Sequence, residues 1–101
     1  MGFNYKFTSK ADLDLDEIYE YYEDKQKGLG KRFIQNVFSK VEATSSKPEK
    51  YSSDENGIRH TGVKGFKHHV IYYVFAAPIL LVIAVWHSAR RPFNKKERLE
   101  D

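Results

Sequence analysis

The longest uncharged stretch of the sequence, VIYYVFAAPILLVIAVW at residues 70–86, limits what this chain can fold into. Its length is at the lower limit for a membrane-spanning helix. Pro78, however, lies in the middle of the run, and each half has the length and the β-branched and aromatic composition of a strand. We therefore predict two antiparallel strands joined by a tight turn near residues 76–78, and no membrane association.

The two predicted strands differ in their surroundings. In the first, Ile71, Tyr73 and Phe75 point to one face and the residues between them to the other. The second, residues 79–86, has no polar face and is typical of a central strand that is covered on both sides. It ends in HSARRP, residues 87–92, and so places a histidine and two arginines at one rim of the sheet.

Length and composition indicate one globular domain. A chain of 101 residues, 41% hydrophobic and 15% aromatic, can bury a single core. The sequence has no cysteine, which excludes disulfides and thiolate chemistry. The N-terminus MGFNYKF has no apolar signal-peptide segment, so we expect a cytoplasmic location.

The charge of the chain is unevenly distributed. Residues 1–24 contain seven acids and two lysines and so have a net charge of −5. Since the whole chain has a net charge of +3, residues 25–101 have a net charge of +8. Such a basic region suits either a polyanion or an acidic protein partner, although lysine and arginine also solvate ordinary surfaces.

The pattern along the chain predicts the order β-α-α-β-β-β. Residues 3–8 alternate like a half-buried strand, and Ser9 offers a helix cap. Apolar residues at helical spacing follow in two groups, separated by Gly28 and Gly30: Ala11, Leu15, Ile18, Tyr19 and Tyr22, then Phe33, Ile34, Val37, Phe38 and Val41. Residues 43–57 read as a loop and residues 58–63 as a short strand.

The expected fold class is α+β, with a helical hairpin packed on one face of an antiparallel sheet. We expect one domain at residues 1–92 and a charged tail at residues 93–101, either a frayed helix or disordered.

The four histidines His60, His68, His69 and His87 raise the question of a metal site. A turn near residues 76–78 would bring residues 67–69 opposite residues 85–87, so that two or three imidazoles could converge. Neighbouring strand residues point to opposite faces, and no cysteine or paired carboxylate completes a ligand set. We therefore predict no metal and no other cofactor.

Basic and aromatic residues together form a stronger candidate site. The cations and histidine belong to the last three strands or their ends, and three rings are interleaved with them: Arg59, Lys64, Lys67, His69, Arg90 and Arg91, with Tyr72, Tyr73 and Trp86. Such a group could bind RNA, or cleave it by general acid/base catalysis. Alternatively, the rings belong to the core, His87 caps the sheet, and Arg90 pairs with Asp14 or Glu17.

Three segments resemble the RelE/ParE superfamily of bacterial toxins, often called plasmid stabilisation proteins. They are ADLDLDEIY at residues 11–19, FKHHVIYY at residues 66–73 and VIAVWHSAR at residues 82–90. The resemblance covers residues 4–92 and is closer to the ParE branch, because His87 and Arg90 end the last strand and no tyrosine follows Arg91. It implies the β-α-α-β-β-β fold predicted above.

The resemblance also implies a toxin of a type II toxin-antitoxin module, neutralised by a cognate antitoxin. ParE-type members poison DNA gyrase, whereas RelE-type members cleave mRNA on the ribosome. We expect gyrase inhibition; the alternatives are an mRNA endonuclease using His69, His87 and Arg90, and a non-toxic protein-binding module.

Two sets of contact residues follow from this interpretation. The antitoxin would grip exposed parts of Tyr19, Tyr22 and Phe33. The target would meet cations on the sheet and its rim, namely Arg59, Lys64, Lys67, His87, Arg90 and Arg91.

Overall fold

A computed structural model describes residues 3–99. Its seven elements are β1 Asn4–Phe7, α1 Ser9–Lys25, α2 Leu29–Ser46, β2 Arg59–Gly62, β3 His69–Ala76, β4 Ile79–His87 and α3 Lys95–Leu99. Two helices thus follow the first strand and precede the other three, which confirms the predicted α+β fold. The expected domain and tail also include residues 1, 2, 100 and 101, which lie outside the described residues.

Strand β4 is the centre of the sheet, whose order is β1-β4-β3-β2. β2, β3 and β4 pair antiparallel, as predicted, whereas β1 pairs with β4 in parallel. Both faces of β4 are covered, as the absence of a polar face indicated: residues 82–85 are at most 1% exposed. Within the described part of the chain, no helix is long and apolar enough to cross a membrane.

A β-bulge interrupts the pairing of β3 with β4. Tyr73 pairs with Val82 and Tyr72 with Ala84, so Ile83 is an extra residue in β4. Ile83 and Ala84 consequently both pack on the same side of the sheet, and Val85 returns to the other side. Because of this change of phase, His87 falls on the side of the sheet that the helices cover, directly opposite His69.

The helical hairpin begins and turns at residues other than those the sequence indicated. The N-cap of α1 is Thr8 and not Ser9: the Thr8 Oγ1 accepts a hydrogen bond of 3.1 Å from the Ala11 amide. Gly28 is the N-cap of α2 with φ of 88°, a conformation that favours glycine.

Gly30 lies inside α2 and not between the helices. A Cβ atom there would be 2.5 Å from the Tyr19 carbonyl oxygen, so glycine is what allows α1 and α2 to approach so closely. The Glu23 carboxylate of α1 accepts hydrogen bonds from the amides of Gly28 and Lys31, which ties the start of α2 to α1.

The molecule has apolar clusters on both faces of the sheet. The larger cluster lies between the helical hairpin and the sheet and includes Phe33, Ile71 and Tyr73. The smaller one contains Ile58, Ile83 and Ala84, with Phe93 packed against it. The segment after β4 therefore covers part of the second face of the sheet.

Helix α3 is joined to the rest of the molecule by three ion pairs, Lys10–Glu97, Lys95–Asp54 and Arg98–Asp14. The last is bidentate, at 2.7 and 3.1 Å, and joins the buried Asp14 to the partly buried Arg98. Asp14 also accepts a hydrogen bond from the Val85 amide, and Arg98 donates to the Ile83 carbonyl. Because β1 pairs with β4 only as far as Val82, this ion pair satisfies the backbone of β4 where the neighbouring strand has ended.

Candidate histidine rim

Three histidines converge where β3 begins and β4 ends. The His69 and His87 ring centroids are 5.0 Å apart, edge to face, and the His68 ring stacks on His87 at 5.5 Å. The Ser88 amide donates a 2.7 Å hydrogen bond to the His68 carbonyl, which holds the two chain segments together. We call His68, His69 and His87, together with Tyr22 and Arg90, the histidine rim.

The convergence of imidazoles was predicted, but with a different register. Residues 67–69 were expected opposite residues 85–87, whereas the structure pairs His69 with His87. The expected pairing put residue 69 opposite residue 85, so the observed register differs by two residues. The turn at residues 77–78 and the extra residue in β4 at the bulge account for this difference. No group of three or more His, Cys, Asp or Glu side chains in residues 3–99 could hold a metal ion.

His69 is the buried member of the rim. It is 3% exposed, lies against the rings of Phe33 and Tyr22, and shares a 3.2 Å hydrogen bond between its Nδ1 and the Tyr22 hydroxyl. Burial, followed by the proximity of His87 and His68, lowers its pKa to about 4. At neutral pH His69 is therefore an uncharged imidazole.

The backbone after β4 orients His87. Its Nδ1 accepts a 3.0 Å hydrogen bond from the Ala89 amide, and its carbonyl accepts one of 3.0 Å from the Arg90 amide. Since a backbone N–H can only donate, Nδ1 carries no proton in this arrangement and Nε2 carries it. The predicted capping role of His87 is thus present in the structure.

A cavity of about 440 Å³ opens beside the rim, between α1 and the end of β4. Its lining combines two imidazoles, a carboxylate, a guanidinium and apolar groups: Glu17, Ile18, Tyr21, His69, His87, Ala89 and Arg90. His69, His87 and Arg90, named from the sequence as a possible acid/base set, therefore face one space.

Two lining residues, Glu17 and Tyr21, were not predicted as site residues. They follow Asp14 at intervals of three and seven residues, so all three lie on one face of α1. The hydrogen bond from the Val85 amide to Asp14 shows that this face meets β4, which the sequence alone did not indicate. A second cavity of about 490 Å³ lies on the other side of the Tyr22–His69 pair and includes Arg32, Lys67 and His68. Arg32 was also not predicted.

Arg90 is exposed and its guanidinium lies over the Trp86 ring, 4.3 Å from the centroid. The alternative in which Arg90 pairs with Asp14 is wrong, because Arg98 occupies that carboxylate. The sequence did not indicate Arg98, which lies 84 residues from its partner. Arg90 has no ion-pair partner among the described residues.

The other cations predicted to contact the target fall in two places. Lys64, Lys67 and Arg91 are exposed, in the segments that flank the start of β3 and the end of β4. Arg59 is elsewhere: its guanidinium donates hydrogen bonds to the carbonyls of Glu49 and Tyr51 and holds the loop before β2. Arg59 thus stabilises a loop away from the rim. The other five residues predicted to contact the target belong to the rim or to the segments beside it: Lys64, Lys67, His87, Arg90 and Arg91.

The three rings proposed to stack on RNA bases are used within the fold, as the alternative interpretation expected. Tyr73 is fully buried and its hydroxyl donates to the Pro48 carbonyl at 2.7 Å. Tyr72 packs against Phe93, and the Trp86 Nε1 donates to the Arg91 carbonyl at 3.0 Å. Tyr72 and Trp86 are half-buried with Phe93 on the face of the sheet opposite the helices, so neither lies beside the imidazoles of His69 and His87.

A groove of about 680 Å³ runs between the outer faces of α1 and α2. Tyr19, which was expected to contact the antitoxin, and Phe38 both line this groove. Tyr19 is 40% exposed and Phe38 is 38% exposed. Phe33 is 0% exposed and Tyr22 is half-buried against the core, so Phe33 offers no surface to a partner. Helical spacing alone did not separate the buried stripe of α2 through Phe33 from the adjacent exposed one through Phe38.

Comparison with known proteins places this geometry in context. The model of one family, described as the ParE toxin of type II toxin-antitoxin system, parDE, matches residues 5–92. Among solved structures, the chain is similar to one in the chromosomal ParDE TA system from P. aeruginosa, with a TM-score of 0.73 and 17% identity over 84% of this chain and 95% of that one. At that identity the likeness concerns the fold. No curated protein matches the sequence.

Proposed function

This chain belongs to the ParE toxin family of type II toxin-antitoxin systems, and we propose that it arrests growth in the cytoplasm by inhibiting DNA gyrase. The observation that carries the proposal is the family match over residues 5–92, which includes every element except α3. The match begins at the second residue of β1, Tyr5.

The exposed cations near the rim support a contact with a macromolecular target. Lys64, Lys67, Arg90 and Arg91 extend from segments that are fixed by the β3–β4 pairing and by the turn after β4. Because the backbone of these segments is already fixed, binding needs to order only the side chains, which favours a specific contact. We propose that these four, with His87, form the surface that meets gyrase.

A cognate antitoxin is the second proposed partner. The groove between α1 and α2 joins exposed apolar groups, Tyr19 and Phe38, with acids such as Asp12 and Asp16. An amphipathic segment carrying both apolar and basic residues would match it. Of the three residues expected to contact the antitoxin, Tyr19 is the one this groove presents.

An mRNA endonuclease is the alternative favoured by one specific observation. His69 is uncharged at neutral pH and faces the same cavity as His87 and Arg90, so a proton acceptor, a second imidazole and a cation are together. The occupied rings of Tyr72, Tyr73 and Trp86 provide no stacking platform to accompany them.

The deciding experiment combines growth with two purified reactions. Induced expression should stop growth, and the purified chain should block supercoiling of relaxed plasmid by gyrase. Co-expressed antitoxin should restore growth, and purified antitoxin added to the reaction should restore supercoiling. Cleavage of mRNA that requires ribosomes, with supercoiling unaffected, would replace the gyrase proposal with the endonuclease. Normal growth together with unimpaired supercoiling would leave a protein-binding module that is not toxic.

A further inference from the structure

Three lysines gather at the C-terminal end of α2, and we call Lys40, Lys47 and Lys50 the lysine cluster. The ammonium groups of Lys40 and Lys50 lie 5.8 and 5.5 Å from the centroid of the Tyr51 ring. Together with Thr44 and small neighbouring residues, the cluster lines a cavity of about 290 Å³. Lys40 lies near the end of α2, Lys47 is the C-cap of this helix, and Lys50 follows in the next turn.

No carboxylate neutralises the cluster among residues 3–99, whose ion pairs all involve other lysines or Arg98. Glu42 is two residues from Lys40 and so lies on another face of α2. Glu49 is the nearest acid along the chain and makes no ion pair with the cluster, so the three lysines and Glu49 together carry a formal charge of +2. The C-terminal end of the α2 dipole is equivalent to about −0.5 charge, which is smaller than the positive charge of the three lysines. The surface is therefore strongly positive.

This surface is distant from the histidine rim. α2 begins beside the second cavity of the rim, which Leu29 and Arg32 line, and the lysine cluster lies at its other end. Eighteen residues of helix extend about 27 Å. The cluster is thus separate from the surface proposed to meet gyrase.

We propose that the lysine cluster binds the phosphate backbone of duplex DNA without sequence preference. Backbone hydrogen bonds from Lys47 to the Thr44 carbonyl and from Lys50 to the Lys47 carbonyl fix the segment that carries the cluster. A fixed group of ammonium groups can neutralise neighbouring phosphates of a duplex without contacting its bases. Binding to a single strand would need a ring on which bases stack. Tyr51 does not provide one, because it is half-buried and the ammonium groups of Lys40 and Lys50 lie beside its ring.

Fluorescence anisotropy of a labelled duplex of about 20 base pairs tests the proposal, since the charge density of DNA makes the salt dependence diagnostic. Three phosphate contacts give a slope of log affinity against log salt of about −2.7, equivalent to about 40-fold weaker binding at 200 mM than at 50 mM salt. The variant Lys40→Gln/Lys47→Gln/Lys50→Gln should lose this salt-dependent binding, whereas replacing the same three residues by arginine should retain it.

A matched variant, Lys27→Gln/Lys31→Gln/Lys96→Gln, removes the same charge from exposed positions elsewhere and should bind like the parent chain. Equal loss of binding in the two glutamine variants would overturn the proposal, because it would indicate a general charge effect. So would the absence of duplex binding, or equal binding of a poly-glutamate peptide. Since gyrase is not in this assay, any of these results leaves the gyrase proposal standing.

Discussion

His69 is a titratable group that the fold keeps uncharged. Its imidazole lies among the rings of Tyr22, Phe33 and Phe66 and beside His68 and His87, with Glu17 and Arg90 across the cavity. The unfolded chain offers the same side chain an ordinary pKa of 6.5, against about 4 in the folded protein. The two states therefore bind different numbers of protons in acid.

The consequence is a loss of stability on mild acidification. The contribution of His69 is fully present above pH 6.5, is lost as the pH falls from 6.5, and is exhausted near pH 4. The loss in the free energy of unfolding reaches at most about 3 kcal/mol. Urea unfolding at a series of pH values should show this slope, and His69→Gln should reduce it. Identical pH profiles for the two proteins would contradict the burial of a neutral imidazole.

Asp14 illustrates how one buried residue can join several elements. Its two carboxylate oxygens receive the Arg98 guanidinium and the Val85 amide, so that α1, β4 and α3 meet at a single side chain. The sequence placed Asp14 in a motif on the first helix, but an acid on an amphipathic helix is usually solvated. Only the position of the unpaired β4 backbone explains why this one is buried.

At the scale of elements, the contact between α1 and α2 depends on the absence of a side chain at Gly30. A methyl group there would meet the Tyr19 carbonyl at 2.5 Å and the Glu23 Cγ at 2.7 Å, and backbone cannot move aside cheaply. The two helices would have to separate, which would also loosen the bonds from Glu23 to the amides of α2.

Gly30→Ala should therefore destabilise the protein by about 1–3 kcal/mol, the usual cost of overpacking. The matched control is Gly62→Ala, where an added Cβ has no atom within 4 Å and the change should be nearly neutral. Thermal unfolding of both variants measures the difference. Equal stability of Gly30→Ala and the parent chain would show that the helices are not in close contact.

Residues 93–99 contribute to the fold although they lie beyond the family match. Phe93 packs on the cluster formed by Ile83 and Ala84, and Arg98 completes the buried ion pair. A chain that ends after Pro92 loses both contacts. Loss of the Phe93 burial costs about 1.5–3 kcal/mol, and leaving Asp14 without its arginine adds to this.

Truncation after Pro92 should thus lower the free energy of unfolding by about 3–5 kcal/mol, a large part of what a domain of this size possesses. A chain that ends after Leu99 keeps both contacts and serves as the control. Chemical denaturation compares the two. If the shorter chain proves equally stable, α3 and Phe93 contribute nothing to the packed structure.

The whole molecule separates its charges into distinct surfaces. The acids of α1 line the outer groove between the helices, the cations of the rim lie at one end of the sheet, and the lysine cluster lies at the far end of α2. This arrangement explains the imbalance between the first 24 residues and the rest. The antitoxin, the target and the duplex DNA proposed above would each meet a different one of these surfaces.

Removal of the rim cations should separate toxicity from folding. Arg90→Ala/Arg91→Ala deletes two exposed side chains, and the stacking of Arg90 on Trp86 contributes only about 0.5–1 kcal/mol. The bond from Trp86 to the backbone carbonyl of Arg91 remains. We expect the variant to keep its fold, measured by circular dichroism and unfolding, and to lose inhibition of gyrase. A folded variant that inhibits as strongly as the parent would exclude these arginines from the target surface.

Much of the fold followed from local pattern, because periodicity depends only on neighbouring residues. The break at Pro78 and the lack of a polar face at residues 79–86 were enough to predict the β3–β4 hairpin and the central position of β4. The apolar spacing on either side of Gly28 was enough for the two helices. Family membership was likewise readable from three short segments.

The composition of the site depended on contacts that no local pattern contains. A single extra residue at Ile83 reverses the phase of β4 and places His87 beside His69 on the helical side of the sheet. Arg98 reaches Asp14 from 84 residues away, and Arg90 lies on the Trp86 ring and forms no ion pair within residues 3–99. Phe33 and Phe38 share one helix, yet only the position of α1 and the sheet buries the first and exposes the second. Sequence determines which side chains are available; packing in three dimensions determines which of them meet, because bulges, ion pairs and burial arise between distant segments.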